Sequence, residues 1–237
     1  MGGCDPMDEA ARGALDLLGR IGGELGVLGV GTGRTVMRFL REASARGVEP
    51  GVAVPSSFET AVELAGLGWS VGDPRVYRGV NVYVDGADEA EPGRGYMVKG
   101  GGGALLGEKI LSSRSKLNIF IVGEDRLVGR LGEKTPVPVE VEPGFVSMVL
   151  ASLEELGLNP RVRTSPGKRG PVVSDWGGVI VDLLTGPLED PRGLESMLRN
   201  VPGVRETGLF LGLADYIVVG LSSCGYRVLG PYRGRAV

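Results

Sequence analysis

The sequence predicts an α/β fold: a doubly wound, mostly parallel, Rossmann-like sheet with a second, smaller α+β domain. Three observations carry the prediction. Strand-sized apolar runs alternate with segments whose apolar residues recur at helical spacing, the order that builds a parallel sheet. These runs end in glycines or acids, as strands do where the chain turns toward a following helix. After Leu131 the alternation gives way to proline-flanked strands, two of them adjacent, before the first pattern returns near the C-terminal end.

Taken in order, residues 8–20 (DEAARGALDLLGR) place acids ahead of helically spaced apolar residues and form the first helix. LGVLGVG (25–31) is a short buried strand, and TGRTVMRFLREASARG is a helix stopped by Gly47. VAVPSSFETAVELAGLG repeats the unit, with a strand at 52–54, a Pro-Ser-Ser turn and a helix ending at Gly66 to Gly68. VNVYVDGADE (80–89) is the clearest strand, alternating and β-rich, and it ends in acids. MVKGGGG (97–103) is a strand stub with a glycine turn, ALLGEKILSSRSK (104–116) a helix, and LNIFIVGED (117–125) another buried strand. Then KTPVPVEVEPG (134–144) holds a strand between prolines, and FVSMVLASLEELG (145–157) is a helix. NPRVRT, PVVSD with GGVIVDLL, a helix at 191–200 and a turn at Val201 to Gly203 complete the smaller unit. ADYIVVG (214–220) rejoins the first sheet. The expected division is a Rossmann-like domain from 1–132 and 206–237, with 133–205 as a ferredoxin-like α+β domain.

The chain has 237 residues, enough to bury roughly 70–75% of its unfolded surface without covalent staples. Its 26 basic and 29 acidic residues give a net charge of −3, which argues against nucleic acid as a partner, since a phosphate footprint wants a basic excess. There is no histidine, so Ser-His and Cys-His nucleophiles and His metal sites are excluded. Cys4 and Cys224 stand near opposite ends of the sequence and make neither a metal spacing nor a disulfide framework; reduced thiols in a cytoplasmic protein are expected. No apolar run approaches the roughly 20 residues needed to cross a bilayer. MGGCDPMDEAARG lacks the basic start and apolar block of a signal peptide, so no membrane association is expected. There is no glutamine and there are 4 asparagines; so few thermolabile amides fit a thermophilic source, although a GC-rich genome biases composition in the same direction.

Three constellations carry chemistry. GVGTGRT (29–35) lies between a strand and a helix, where outward backbone N–H groups, the helix N-terminus and the hydroxyls of Thr32 and Thr35 make a cradle for phosphate or carboxylate. It satisfies neither the dinucleotide fingerprint nor the Walker pattern, and a plain strand-to-helix turn has the same composition. VDGADE (84–89) puts Asp85 and Asp88 around a Gly-Ala turn at a strand's carboxyl end, where open α/β sheets bind ligands. Two crowded carboxylates suit proton transfer, but aspartates there also cap turns and helices, and a divalent metal is a third reading. KGGGGALLGEKI (99–110) sets Lys99 before a sharp glycine turn and Glu108 one turn into the next helix. In isolation Glu108 reads as a solvated helix residue paired with a neighbouring cation. Together, these acids, one lysine and an anion cradle suit proton abstraction next to a carbonyl on a small phosphorylated or carboxylated metabolite.

GVGTGRT, VPSSFETA, VDGADE, KGGGGALLGEKI, LGEKTPVPVEV, VVSDWGGVIVD and VPGVRETGLFLGLADYIVVG stand in an order and spacing that resembles type A ribose-5-phosphate isomerases, over about residues 8 to 220. The resemblance implies interconversion of D-ribose 5-phosphate and D-ribulose 5-phosphate in the non-oxidative pentose phosphate pathway, with no metal and no organic cofactor. Carried over by motif, Glu108 is the base moving the proton between C1 and C2, and Lys99 stabilises the enediolate oxygens. Asp85 and Asp88 are implied to contact the sugar hydroxyls and to assist ring opening and O–H proton exchange. Thr32, Gly33, Arg34 and Thr35 match the substrate-binding loop. Gly86, Ala87, Gly100, Gly101 and Gly102 are implied to line the site, and Lys134 to bring it a second positive group. The resemblance also implies a homodimer or homotetramer.

Three departures from the family pattern stand out. Arg34 replaces a common serine, LGEKTP carries one extra residue before its proline, and Gly107 stands where a longer side chain is expected. Two rival readings are weaker. The first is another sugar-phosphate isomerase or deaminase on a related α/β scaffold, of which the deaminases lean on histidine for ring opening; the second is a sugar-phosphate sensor, which carries a helix-turn-helix for which the roughly 20 residues ahead of the first strand leave too little room.

Overall fold

The computed structural model describes residues 4–22 and 25–233. The chain runs through α1 (Pro6–Arg20), β1 (Val27–Val30), α2 (Arg34–Ala45), β2 (Val52–Pro55), α3 (Phe58–Gly66) and β3 (Val80–Asp85). Next come β4 (Glu89–Glu91), β5 (Tyr96–Val98), α4 (Leu105–Ser113), β6 (Ser115–Gly123), β7 (Val137–Val141), α5 (Val146–Glu155), β8 (Pro160–Val162), β9 (Thr164–Ser165) and β10 (Lys168–Pro171). The chain closes with β11 (Val179–Leu183), α6 (Pro191–Arg199), β12 (Val204–Thr207), β13 (Leu209–Phe210), β14 (Tyr216–Gly220) and β15 (Tyr226–Leu229).

Helix starts follow from capping chemistry. Asp5 accepts from Met7 N at 2.9 Å with Pro6 at the first helical position. Ser57 caps α3 through Thr60 N at 3.2 Å, and Asp190 caps α6 through Gly193 N at 3.0 Å ahead of Pro191. Each side chain satisfies an N–H that a helix leaves without a partner.

The main sheet has the order β15-β14-β6-β3-β1-β2. Every neighbouring pair is parallel except β14 with β15. The strand at 214–220 therefore does return to the first sheet, beside β6. One face is covered by α1 and α2 over Leu28, Val30, Val82, Val84, Ile119 and Ile121. The other face buries Tyr83, Phe120, Val122 and Val219 with Leu111 of α4 and Phe210. The second sheet, β12-β7-β11-β8, is antiparallel throughout. With α5 and α6 it follows a β-α-β-β-α-β order around Val137, Val139, Val141, Leu153, Val181 and Leu198.

The structure corrects the sequence reading in two places. The stub at 97–103 does hold a strand, β5, but it joins β4 and β13 in a separate antiparallel sheet. The cysteines are not free: Cys4 and Cys224 form a disulfide with Cα atoms 5.3 Å apart. Distance along the chain misled here, because α1 packs along β14 and β15, and the turn between those strands carries Cys224. With the thiols paired, cysteine content no longer points to a reducing compartment; disulfides persist in oxidising ones and in hyperthermophile interiors.

Candidate active site

The strand order places β1 and β3 side by side while their continuing chains leave in opposite directions, a topological switch point. Loops at the carboxyl ends of strands flanking such a point form the usual crevice of an open α/β sheet. A hollow of about 370 Å³ opens there. Its walls are the loop after β1 (Thr32 to Thr35), the loop after β3 (Gly86 to Asp88), Lys99 to Gly102, Glu108, and the turn after β6 with Asp125 and Arg126. Met7 of α1 closes one side.

At the floor stands a cluster of buried charge. Lys99 Nζ lies 2.7 Å from Asp85 Oδ2 and 3.1 Å from Glu108 Oε2, and donates to Gly86 O at 2.8 Å. The contact with Glu108 is an ion pair outside hydrogen-bond geometry, which leaves Glu108 Oε2 without a hydrogen-bond partner. Lys99 and Glu108 are each 3% exposed, so both are desolvated yet border the hollow. Asp88 sits higher on the wall, its Oδ2 accepting from Gly101 N at 2.7 Å. The ring of Phe210 lies under the Lys99 ammonium at 5.4 Å, a cation–π contact.

Burial sets the proton affinities. Loss of hydration, reinforced by the Asp85 charge and opposed by Lys99, pushes Glu108 up to about 8. Burial raises Asp85 as well, against the pull of Lys99. Burial acts to lower Lys99, but Asp85 and Glu108 outweigh it and hold the ammonium above its ordinary value. The result is a fixed cation beside a carboxyl group poised to exchange a proton near neutral pH.

The structure brings Thr32, Gly33, Arg34, Thr35, Gly86, Ala87, Asp88, Lys99, Gly100, Gly101, Gly102 and Glu108 around one hollow. It differs from expectation at two residues. Asp85 is fully buried and lies behind Lys99, not on the wall. It accepts from Tyr83 Oη at 2.5 Å, Gly86 N at 2.7 Å and Lys99. Gly31 lets it sit there, since a Cβ on that residue would fall 1.9 Å from Asp85 Cγ. Lys134 is not on the wall either. The backbone around it wraps the buried Glu89 carboxylate, which takes N–H groups from Gly132, Lys134 and Thr135. Its ammonium binds Asp125 O at 2.7 Å and Leu127 O at 2.9 Å. Arg126, on the turn that Lys134 secures, faces the hollow in its stead. Arg34 faces the hollow too.

The glycine before Glu108 also finds its reason. A Cβ on Gly107 would meet Ser56 O at 2.4 Å and Trp176 Nε1 at 2.6 Å, so α4 can lie under Trp176 only with glycine there. Among the described residues, no three acidic or cysteine side chains gather closely enough to hold a metal ion, and no helix is long and apolar enough to cross a membrane.

Comparison with known proteins shows the family and the fold. Residues 52–223 match the family model for ribose 5-phosphate isomerase A (phosphoriboisomerase A). The ribose-5-phosphate isomerase A of Methanothermobacter thermautotrophicus is 41% identical over 206 residues, covering 86% of this chain and 89% of the relative. The solved ribose 5-phosphate isomerase A of Methanocaldococcus jannaschii superposes with a TM-score of 0.86 at 33% identity, over 94% of this chain and 97% of that one. A solved D-ribose-5-phosphate isomerase in complex with phospho-erythronic acid gives 0.87 at 32% identity, over 97% and 100%. The chain belongs to the ribose 5-phosphate isomerase A family.

Proposed function

We infer that this chain interconverts D-ribose 5-phosphate and D-ribulose 5-phosphate by proton transfer through an enediolate. The observation that carries the reading is Glu108: a desolvated carboxyl group bordering the hollow, raised to about 8, with the Lys99 ammonium 3.1 Å away. In the open-chain aldose, Glu108 removes the C2 proton. The C–H electrons form the C1–C2 double bond and negative charge develops on O1, which Lys99 meets. Glu108 then returns the proton to C1, while a proton passes from O2 to O1, and the ketose results. Asp88, on the wall beside the Gly100 to Gly102 backbone, suits contact with the sugar hydroxyls and that O–H exchange.

The phosphate end is assigned to the Thr32 to Thr35 loop with Arg34 and Arg126. Support comes from backbone N–H groups at the start of α2 and from two guanidinium groups at the same hollow. A phosphorylated sugar acid of the kind bound by one structural relative combines a carboxylate, resembling the planar anionic enediolate, with a phosphate. Both demands match this hollow. A cytoplasmic setting belongs to the same reading, because a multiply charged sugar phosphate does not cross a bilayer unaided, and so does assembly into dimers or tetramers.

An assay with ribose 5-phosphate tests the reading. Product is expected in the presence of EDTA, with Glu108→Gln slower by about 10²–10⁴; normal turnover by that variant would refute the role given to Glu108. Arg126→Ala is expected to raise KM about tenfold or more, the scale of one charged hydrogen bond, with little change in kcat. If Lys134→Ala raised KM and Arg126→Ala did not, the phosphate assignment would pass to Lys134.

A further inference from the structure

We propose that Tyr83 is a positioning residue: its buried hydroxyl fixes Asp85 as an ionised anchor for Lys99 and thereby maintains Glu108 as a strong base. The inference rests on the isomerase reading above and extends it to a side chain that does not border the hollow.

Tyr83 and Asp85 are two residues apart on β3 and so share one face of the strand. Neither has any exposed surface. The phenol donates to Asp85 Oδ2 at 2.5 Å, the same oxygen that Lys99 Nζ approaches at 2.7 Å, while Oδ1 takes Gly86 N at 2.7 Å. Asp85 is thus a carboxylate with three donors and no exposed surface. A neutral carboxylic acid would lose an acceptor site and face one of these donors with its own proton. The phenol cannot be the group that ionises, because burial first, and the Asp85 charge next, hold Tyr83 well above its ordinary value. It is a donor at every working pH.

The ring has no freedom to withdraw the hydroxyl. It packs edge-on against Phe120 with centroids 6.0 Å apart, and Phe120 packs edge-on against Phe210, the ring beneath Lys99. Three aromatics therefore underlie the charged cluster and set its depth.

The functional consequence passes through charge. The titratable groups facing this cluster are Asp85 and Tyr83 on β3, Asp88 on the following loop, Lys99 after β5 and Glu108 on α4. Of the negative charges acting on Glu108, Asp85 raises its proton affinity most. Without the phenol, Asp85 would more readily take a proton, its charge would fade, and Glu108 would become a weaker base.

Tyr83→Phe keeps the ring and removes the donor. The expected result is a fall in kcat of about 10- to 100-fold, the effect of one hydrogen bond to a charged group. The acid limb of kcat/KM is also expected to move down by about one pH unit, as Glu108 loses its charged neighbour. Phe120→Leu loosens the seat of the ring while keeping the donor, and is expected to lower the melting temperature and to move the limb less than Tyr83→Phe does. A Tyr83→Phe limb that coincides with wild type would overturn the proposal. Should that variant not fold, proton NMR on wild type reads the contact directly. A slowly exchanging, far-downfield hydroxyl proton correlated with a tyrosine ring supports it, and the lack of one refutes it. A wild-type chain with no isomerase activity would instead sink the underlying reading, so the two failures are distinct.

Discussion

Glu108 keeps its proton to about pH 8 although an ammonium stands 3.1 Å away. Burial and the Asp85 charge together exceed what Lys99 returns. Such a group costs the fold stability that a solvated carboxylate would not. Its folded value lies above the unfolded one, so the folded state binds more protons in between; its contribution is complete below the unfolded value and is lost as pH rises toward about 8. Glu108→Gln is therefore expected to melt at a higher temperature than wild type at pH 8, with the difference shrinking toward pH 4. Melting curves across that range check it, and a constant difference would contradict it. In activity, the same group predicts kcat/KM rising with pH through about 8 and levelling above it. Lys99 and Glu108 were legible in the sequence, because glycine turns at strand ends mark where chemistry can sit. The depth of Asp85 was not, since a strand-end aspartate reads the same whether it faces ligand or supports a lysine from behind. Arg126 was missed because one arginine on a turn carries no signal until the fold brings that turn to the hollow.

The helix that carries Glu108 is held in place by a contact no local pattern reveals. Trp176, from the segment between β10 and β11, lies over Gly107 with Ser56 O alongside. Gly107→Ala is expected to push α4 away from that seat. Overpacking of this kind costs about 1–3 kcal/mol, which at this chain length is a fall in Tm of roughly 2–12 °C. Displacement of the base should lower kcat more than it changes KM. Steady-state kinetics beside a thermal melt test this, and a variant with wild-type kcat would show that α4 does not depend on the Trp176 seat. At this scale the strongly periodic helices and the buried strands were readable from spacing alone. The strands β12 and β15 were not, being short and mixed in polarity, VRET and YRVL, and stabilised by their sheet partners rather than by their own composition.

For the whole molecule, the alternation of strands and helices was enough to foresee the parallel sheet, the return of the last parallel strand and the antiparallel unit between them. It could not foresee that both ends meet. The disulfide spans a sequence separation of 220 residues, and closing so long a loop restricts the unfolded chain by roughly 5.4 kcal/mol in the chain-entropy model. Cys224→Ser, or a reductant, is expected to lower Tm by roughly 10 °C or more. Identical melts with and without reductant would show that the bond adds nothing to stability.

The same bond alters what counts as one polypeptide. Nearly all of the backbone lies between Cys4 and Cys224. A protease cutting the exposed tip between β9 and β10 would sever the main chain and release nothing. The two unequal pieces would travel as a single species on a gel until a thiol separated them.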